Sequence, residues 1–291
     1  MVRILRVFPR ITNATPFDNM CRFGEPDMFD PPDCDEVHVS VTFSWDIKRG
    51  EELRAAWADV HPCVKISGPA YNDRGETFIP GLYLKRGHVI TSRGCPNHCW
   101  FCLVPHREGD LRELPITEGH TVHDSNLLAC SDSHVRAVFD MLDRQPTRPL
   151  FVGGLESAIL KDWHISALRE LRSQRLYFAY DTPNDLEPLR DAGKRLQAAG
   201  FTRSSHLYAY VLIGYERDTQ EAAERRLLDA WEAGFCPYAM LYHDKNGETQ
   251  KIWRKFQRKW VRPAIIRKRV KDRNLITIPA ASGVTIEEVK P

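Results

Sequence analysis

The chain has 291 residues, enough for one α/β barrel with a small extension and too few for several average domains. With 42% apolar residues, 27% charged residues and a net charge of +2, its composition is that of a globular protein, neither fibrous nor disordered. No apolar run approaches a membrane span, and Met1 to Arg10 is too weakly apolar for a secretion signal, so the eight cysteines are expected to be reduced thiols in the cytoplasm.

Residues 1–80 read as a small α/β unit. Ile4 to Phe8 is a short apolar strand, followed by a loop rich in Pro, Asp and Phe from Pro16 to Asp33. Val37-His-Val-Ser-Val-Thr-Phe43 alternates and is β-branched, as a half-buried strand requires. Glu51 to Val60 places Leu53, Ala56, Trp57 and Val60 on one helical face, and Val64 to Ser67 returns as a strand. Strand, helix and strand in about thirty residues imply a parallel right-handed crossover.

From residue 81 to 248, strand and helix signals alternate. The strand spans are His88–Thr91, His120–Asp124, Leu150–Gly153, Leu176–Asp181, Leu207–Gly214 and Pro237–Tyr242. Ser131-Asp-Ser-His opens a helix with N-cap chemistry, and Val135, Val138, Phe139 and Leu142 follow at helical spacing. Further helices are predicted from Ser157 to Leu171, from Thr182-Pro-Asn-Asp to Gly200, and from Asp218-Thr-Gln-Glu to Gly234. Both terminal glycines suit a helix stop. Alternation of this kind makes a parallel sheet whose chemistry gathers at the carboxyl ends of the strands.

Ser92-Arg-Gly-Cys-Pro-Asn-His-Cys-Trp-Phe-Cys-Leu103 follows the first of these strands and carries Cys95, Cys99 and Cys102. Thiolates are the usual ligands of iron–sulfur clusters, and three thiolates leave one iron of a cubane open. A zinc knuckle completed by His98 or His106, a disulfide, or unrelated buried thiols are the competing readings. Zinc sites, however, usually pair two short Cys/His clips, and no second clip exists in this sequence. Cys21, Cys34, Cys63, Cys130 and Cys236 are scattered without clip spacing, Cys130 reading as a small buried residue.

The spacing C-x3-C-x-aromatic-C resembles the radical S-adenosylmethionine (SAM) superfamily. The resemblance implies a partial (β/α)6 barrel over 81–248 and a [4Fe-4S] cluster on Cys95, Cys99 and Cys102 with SAM chelated at the fourth iron. It also implies reductive cleavage of SAM to a 5′-deoxyadenosyl radical, and an electron donor of flavodoxin or ferredoxin type. Residues 1–80 are similar to the cobalamin-binding, Rossmann-like domain that precedes some of these barrels. The Asp-x-His-x-x-Gly signature of that domain is missing here, which implies a shortened, cobalamin-free unit and disfavours a cobalamin-assisted methyltransferase.

The same resemblance assigns roles at the strand ends. The SAM methionine contact is Asp124 and Asn126 in one alignment, and Gly153, Gly154 and Glu156 in the other. Read without the family, Gly153 and Gly154 form a turn and Glu156 is a helix-start carboxylate. Asp181 would hold ribose hydroxyls, or else cap the helix near Pro183. Gly214 and Phe101 would face the adenine, or else serve as a turn glycine and a core aromatic.

Residues 249–291 form a basic extension. From Lys251 to Arg273 there are eleven Lys/Arg and one acid, Asp272, a local charge of +10 against −8 for the rest of the chain. Trp253, Phe256 and Trp260 stand at helical spacing. Buried, they make this an amphipathic helix covering the barrel. Exposed, they make it a nucleic-acid platform. The substrate expected from this charge is a nucleotide or nucleic acid, and the rival function is a zinc- or cluster-stabilised nucleic-acid-binding protein without catalysis.

Overall fold

The computed structural model describes residues 2–27, 33–73, 77–243 and 249–272. Arg273 and the rest of the extension to residue 291 lie outside the described residues, as does part of the loop from Pro16 to Asp33.

The N-terminal unit comprises β1 (Ile4–Val7), β2 (Cys21–Arg22), β3 (Glu36–Ser40), α1 (Ile47–Ala58) and β4 (Val64–Ser67). Its strands form one parallel sheet in the order β2-β1-β3-β4. Leu5, Val7, Val37, Val39, Leu53 and Trp57 make a core separate from that of the barrel. Two sequence expectations change here. The segment read as plain loop contains β2, because the buried Arg6 gathers it onto the sheet: its guanidinium donates to Met20 O (3.1 Å) and Asp18 Oδ1 (2.5 Å). The helix begins at Ile47, before Glu51, since Gly50 lets it lie directly on Val41, whose side chain a β-carbon there would overlap. The strand order reverses between β1 and β3, and a cavity of about 230 Å³ opens beyond their carboxyl ends. Phe8, Arg10, Ser40, Asp46, Tyr83 and His123 line it.

The following unit runs β5 (His88–Val89), β6 (Ser92–Arg93), α2 (Val104–Arg107), β7 (Arg112–Glu113), β8 (Thr121–Val122), α3 (Asp132–Asp143), β9 (Leu150–Phe151), α4 (Asp162–Glu170), β10 (Leu176–Ala179), α5 (Leu186–Ala198), β11 (Leu207–Ile213), α6 (Gln220–Glu232) and β12 (Cys236–Leu241). β5-β8-β9 and β10-β11-β12 are parallel sheets, joined by the bridge of Leu155 to Phe178. The six parallel strands therefore stand in chain order, a partial (β/α)6 barrel. Val89, Val122, Phe151, Phe178 and Val211 turn outward to meet Val138, Leu142, Leu168, Leu189 and Leu227 of the helices. The caps at Ser131 and Thr219 form as their sequence predicts, accepting from the His134 and Ala222 amides. The helix expected from Ser157 is interrupted instead. A single turn at Ser157–Ile159 gives way to extended backbone at Leu160, which drops that side chain into the core before α4 starts.

The extension folds as α7 (Lys251–Gln257) and α8 (Pro263–Asp272). The helix read over Trp253, Phe256 and Trp260 stops at Gln257, ahead of Trp260, and Pro263, tolerated in a first turn, starts a second. Trp253, Phe256 and Trp260 are 6%, 4% and 1% exposed, so they pack inside and offer no stacking platform. They cover the outermost strand: Ala239 N–H donates to Trp260 O, and Gln257 Nε2 to Ala239 O, both at 3.1 Å.

His88 Nδ1 and His123 Nε2 meet at 2.7 Å, so one nitrogen carries the proton and the other accepts it. Burial holds both rings down at about 4, with the charge of Lys85 acting on His88 and that of His88 on His123. In the unfolded chain these rings protonate near 6.5. The folded state therefore binds fewer protons, and stability present above pH 6.5 is lost as the pH falls toward 4. The thermal midpoint, measured across that window, is expected to drop steadily in the native protein and less steeply in His123→Gln.

Candidate functional site

The cysteine loop is an excursion beyond the carboxyl end of β5, pinched at its base by the antiparallel pair β6 and β7. Gly94 stands at the pinch with φ +81°, and any β-carbon there would overlap the Asp110 carbonyl. Only glycine allows the two arms so close. Glu108 then clasps the loop from within. Its carboxylate accepts from Arg93 Nη1 (2.9 Å), from the Gly94 amide (2.8 Å) and from Ser125 Oγ (2.9 Å) on the neighbouring strand end. The Cys102 amide donates to Cys99 O at 2.9 Å and closes the turn between those two cysteines.

Cys95, Cys99 and Cys102 are half-buried free thiols. Burial pushes Cys99 up to about 11, and the neighbouring Cys102 and Cys95 act in the same direction. Cys102 is raised mainly by burial. Two thiols raised by burial, with Cys95 on the same loop, form a donor set that positive metal would relieve. Among the described residues no three Cys, His, Asp or Glu side chains converge on a point that would seat one ion. A cubane makes a different demand, one thiolate per iron, so its ligands stand apart. His98 and His106 both lie exposed at the surface.

The two alternative strand ends turn out to be neighbours. Asn126 Nδ2 donates to Glu156 Oε2 (2.6 Å) and to Cys95 Sγ (3.5 Å), and Asn97 Nδ2 donates to the same Glu156 oxygen (2.9 Å). Asn126 Oδ1 is buried with no partner. The other residues of each alternative have different roles. Asp124 is 2% exposed and spends both oxygens on Thr91 N, Thr91 Oγ1 and Ser92 Oγ, at 2.6–2.7 Å. It therefore clamps β5 to β8 and is not open to a ligand, a correction to its expected methionine contact. Gly153 is also structural, since a β-carbon would overlap Asp124 O, whereas Gly154 faces open space.

Asp181 does not cap the helix near Pro183. Asp185 does so, accepting the Asp181 and Thr182 amides at 3.0 and 2.7 Å. Asp181 Oδ1 instead accepts the Leu212 amide (2.9 Å), and burial pushes its carboxyl up to about 6. Its charge is among those that raise Cys99 and Cys102. Gly214 has φ +77°, and a β-carbon there would press on the Trp253 ring. Its place is thus set by packing against α7. Phe101 stands edge-on to Trp100, and Trp100 meets Tyr215 and Tyr242 at 5.4 and 6.2 Å. This aromatic wall joins the cysteine loop to the ends of β11 and β12. No motif announces Trp100, Tyr215, Tyr242, Asn97 or Glu108. Only their positions just beyond a strand end, or within the cysteine loop, could have drawn attention to them.

No protein-family model matches the chain. Two curated relatives, each a ribosomal protein uS12 methylthiotransferase RimO, are 29% identical to it. That of Actinobacillus succinogenes aligns over 181 residues, 55% of this chain, and that of Mannheimia succiniciproducens over 173 residues, 47% of this chain. The chain spans 38% of the length of either relative. Among solved structures it is similar to the radical SAM methyltransferase TsrM of Kitasatospora setae with cobalamin and a [4Fe-4S] cluster bound. The TM-score is 0.61 at 10% identity, covering 83% of this chain and 75% of that one. TsrM with tryptophan and a SAM analogue bound gives 0.58 at 10% identity, over 82% and 72%.

Glu108→Ala removes three hydrogen bonds from the base of the loop, one of them from a guanidinium. A loss of about 1–3 kcal/mol is expected. Because the Gly94 amide is left without its acceptor, its hydrogen exchange should accelerate about tenfold or more, while amides of α5 and α6 keep their protection.

Proposed function

We propose, on the premise that this chain belongs to the radical SAM superfamily by its fold and its cysteine loop, that Cys95, Cys99 and Cys102 hold a [4Fe-4S] cluster. In this reading Asn126 and Glu156 receive the amino group of SAM. The observation that carries it is the unpartnered, buried Asn126 Oδ1, which lies in a side chain bonded to both Cys95 Sγ and Glu156. An ammonium donor placed there would satisfy the amide oxygen and bond the carboxylate, and charge-assisted bonds of this kind are the strong ones. The donor set fits the cluster as well: three soft sulfurs stand on one loop, two of them raised by burial.

When bound, cluster and SAM supply a one-electron cleavage that yields a 5′-deoxyadenosyl radical for hydrogen abstraction, the chemistry that defines this superfamily. The protein's own residues position and shield. Glu108 fixes the loop, Asp124 fixes the strands beneath it, and Asp181 offers its second carboxylate oxygen to ribose hydroxyls beside Cys99. Trp100, 65% exposed, and Phe101 would fold over the adenine with Tyr215 and exclude water. An electron donor of flavodoxin or ferredoxin type would approach over the exposed tip of the loop, at Pro96 to His98.

The substrate class we favour is a nucleotide or nucleic acid, on the charge of the C-terminal segment. Cobalamin is not part of this reading. The cavity at the β1–β3 switch point holds about 230 Å³, below the roughly 300–1,000 Å³ of pockets for drug-sized ligands, and a corrinoid is larger still.

Anaerobic reconstitution should give a brown protein near four irons per chain, as a cubane requires. With dithionite and SAM it should release 5′-deoxyadenosine and take up no cobalamin. A colourless protein with stoichiometric zinc would sink the proposal and favour the non-catalytic alternative. Cys99→Ala is expected to lose the cluster while keeping a cooperative unfolding transition. Glu156→Gln should keep its iron but raise the KM for SAM about tenfold or more, the loss of one charge-assisted bond.

A further inference from the structure

The amino ends of the parallel strands lie opposite the cysteine loop, and arginine dominates them. A concavity of about 580 Å³ is lined by Arg148, Arg169 and Arg172 together with Glu170, Ser173 and His206. A second, of about 400 Å³, is lined by Arg203, Arg267, Thr202, Ser204 and Trp231. Phe201 lines both, so they are two halves of one groove.

None of these five guanidiniums forms an ion pair among the described residues. Elsewhere arginine is routinely neutralised: Arg3 by Asp33, Arg93 by Glu108, Arg195 by Asp162, Arg226 by Asp218. In the groove, neutral partners orient the cations without discharging them. Arg169 donates to Gly200 O at 3.1 Å and lies over the Phe201 ring. Arg203 sits 4.3 Å over the Trp231 ring, with its Nε buried and unpartnered. Arg267 donates to Ser204 O at 3.3 Å. Arg172 follows the last turn of α4 with φ +52°, a left-handed position where glycine is free of cost and any other residue is strained.

We infer that this groove is an exosite for the phosphate backbone of a nucleic acid. All five cations are arginine, whose planar fork engages phosphate bidentately. An acidic protein would also be attracted, but protein interfaces are anchored by apolar side chains, and no exposed large apolar residue lines either concavity. Nucleic-acid interfaces are polar and strongly cationic, as this one is. The inference rests on the substrate reading above only for the class of partner. Binding is measured without turnover, so it fails or holds separately from the chemistry.

The test is fluorescence anisotropy of a labelled RNA hairpin against the full chain over a series of KCl concentrations. Binding at low salt should weaken with a log–log slope of about −0.7 to −0.9 per phosphate engaged. The triple variant R148Q/R169Q/R172Q should bind at least tenfold more weakly and flatten that slope by about two to three. Arg172→Gly should match or exceed the native thermal midpoint while still losing affinity, which separates binding from folding. Lys255→Gln with Lys259→Gln, in and just after α7 and lining neither concavity, should leave most of the affinity intact. Unchanged affinity and slope in the triple variant would overturn the assignment, as would equal competition by polyglutamate.

Discussion

A single carboxylate holds the candidate site in shape. Glu108 takes donors from Arg93 and Gly94 at the root of the cysteine loop and from Ser125 on the neighbouring strand end, so one side chain couples loop and barrel. The need for it follows from the loop's form. All three cysteines sit on an excursion beyond β5 whose base is held by one short antiparallel pair, so the loop needs an anchor of its own. The anchor is polar and half-buried, where hydrogen bonds to a charge are strong and their removal is costly. Gly94 is its counterpart in the backbone, the residue that lets both arms of the loop approach the same clasp.

The parallel topology does the remaining assembly. Because all six strands of the barrel run the same way, every carboxyl end opens on one rim, and residues more than a hundred positions apart in the chain come to face a common space. Asn126 and Glu156 follow adjacent strands and meet through a hydrogen bond, although in sequence they belong to two rival alignments. Each alignment contributes one residue to the rim and one to the scaffold below. Asp124 and Gly153 are that scaffold, the first clamping β5 to β8 and the second letting β9 lie flush against it. Such a division of labour within three residues is invisible to pattern, since strand periodicity would put Asp124 and Asn126, two apart, on one face, and both lie beyond the end of β8.

What the chain disclosed in advance has a physical logic. The barrel strands are short buried runs between polar turns; five of the six predicted spans contain the strand that forms, and the sixth overlaps β12, which starts one residue earlier at Cys236. Ser131 and Thr219 cap helices as local chemistry dictates, and Gly200 and Gly234 end them with positive φ. Where expectation failed, a tertiary contact outweighed a local signal. Leu160 leaves the helix for the core, and Arg6 draws β2 out of what composition reads as loop. The cysteines could be found from spacing alone because they act as neighbours in sequence. Glu108, Asn97 and the ring of Trp100 could not, since their partners are fixed only by the fold.

The packing of Trp260 and Gln257 against Ala239 has an effect beyond covering apolar surface. β12 is the last strand of an open sheet, and its outer row of amides and carbonyls is a template on which another chain could build. By engaging both backbone groups of Ala239, the extension acts as a selvedge that keeps the weave from unravelling into self-association. A polypeptide ending ahead of Gln250 would therefore be at risk of filament or aggregate growth, quite apart from any charge it had forfeited.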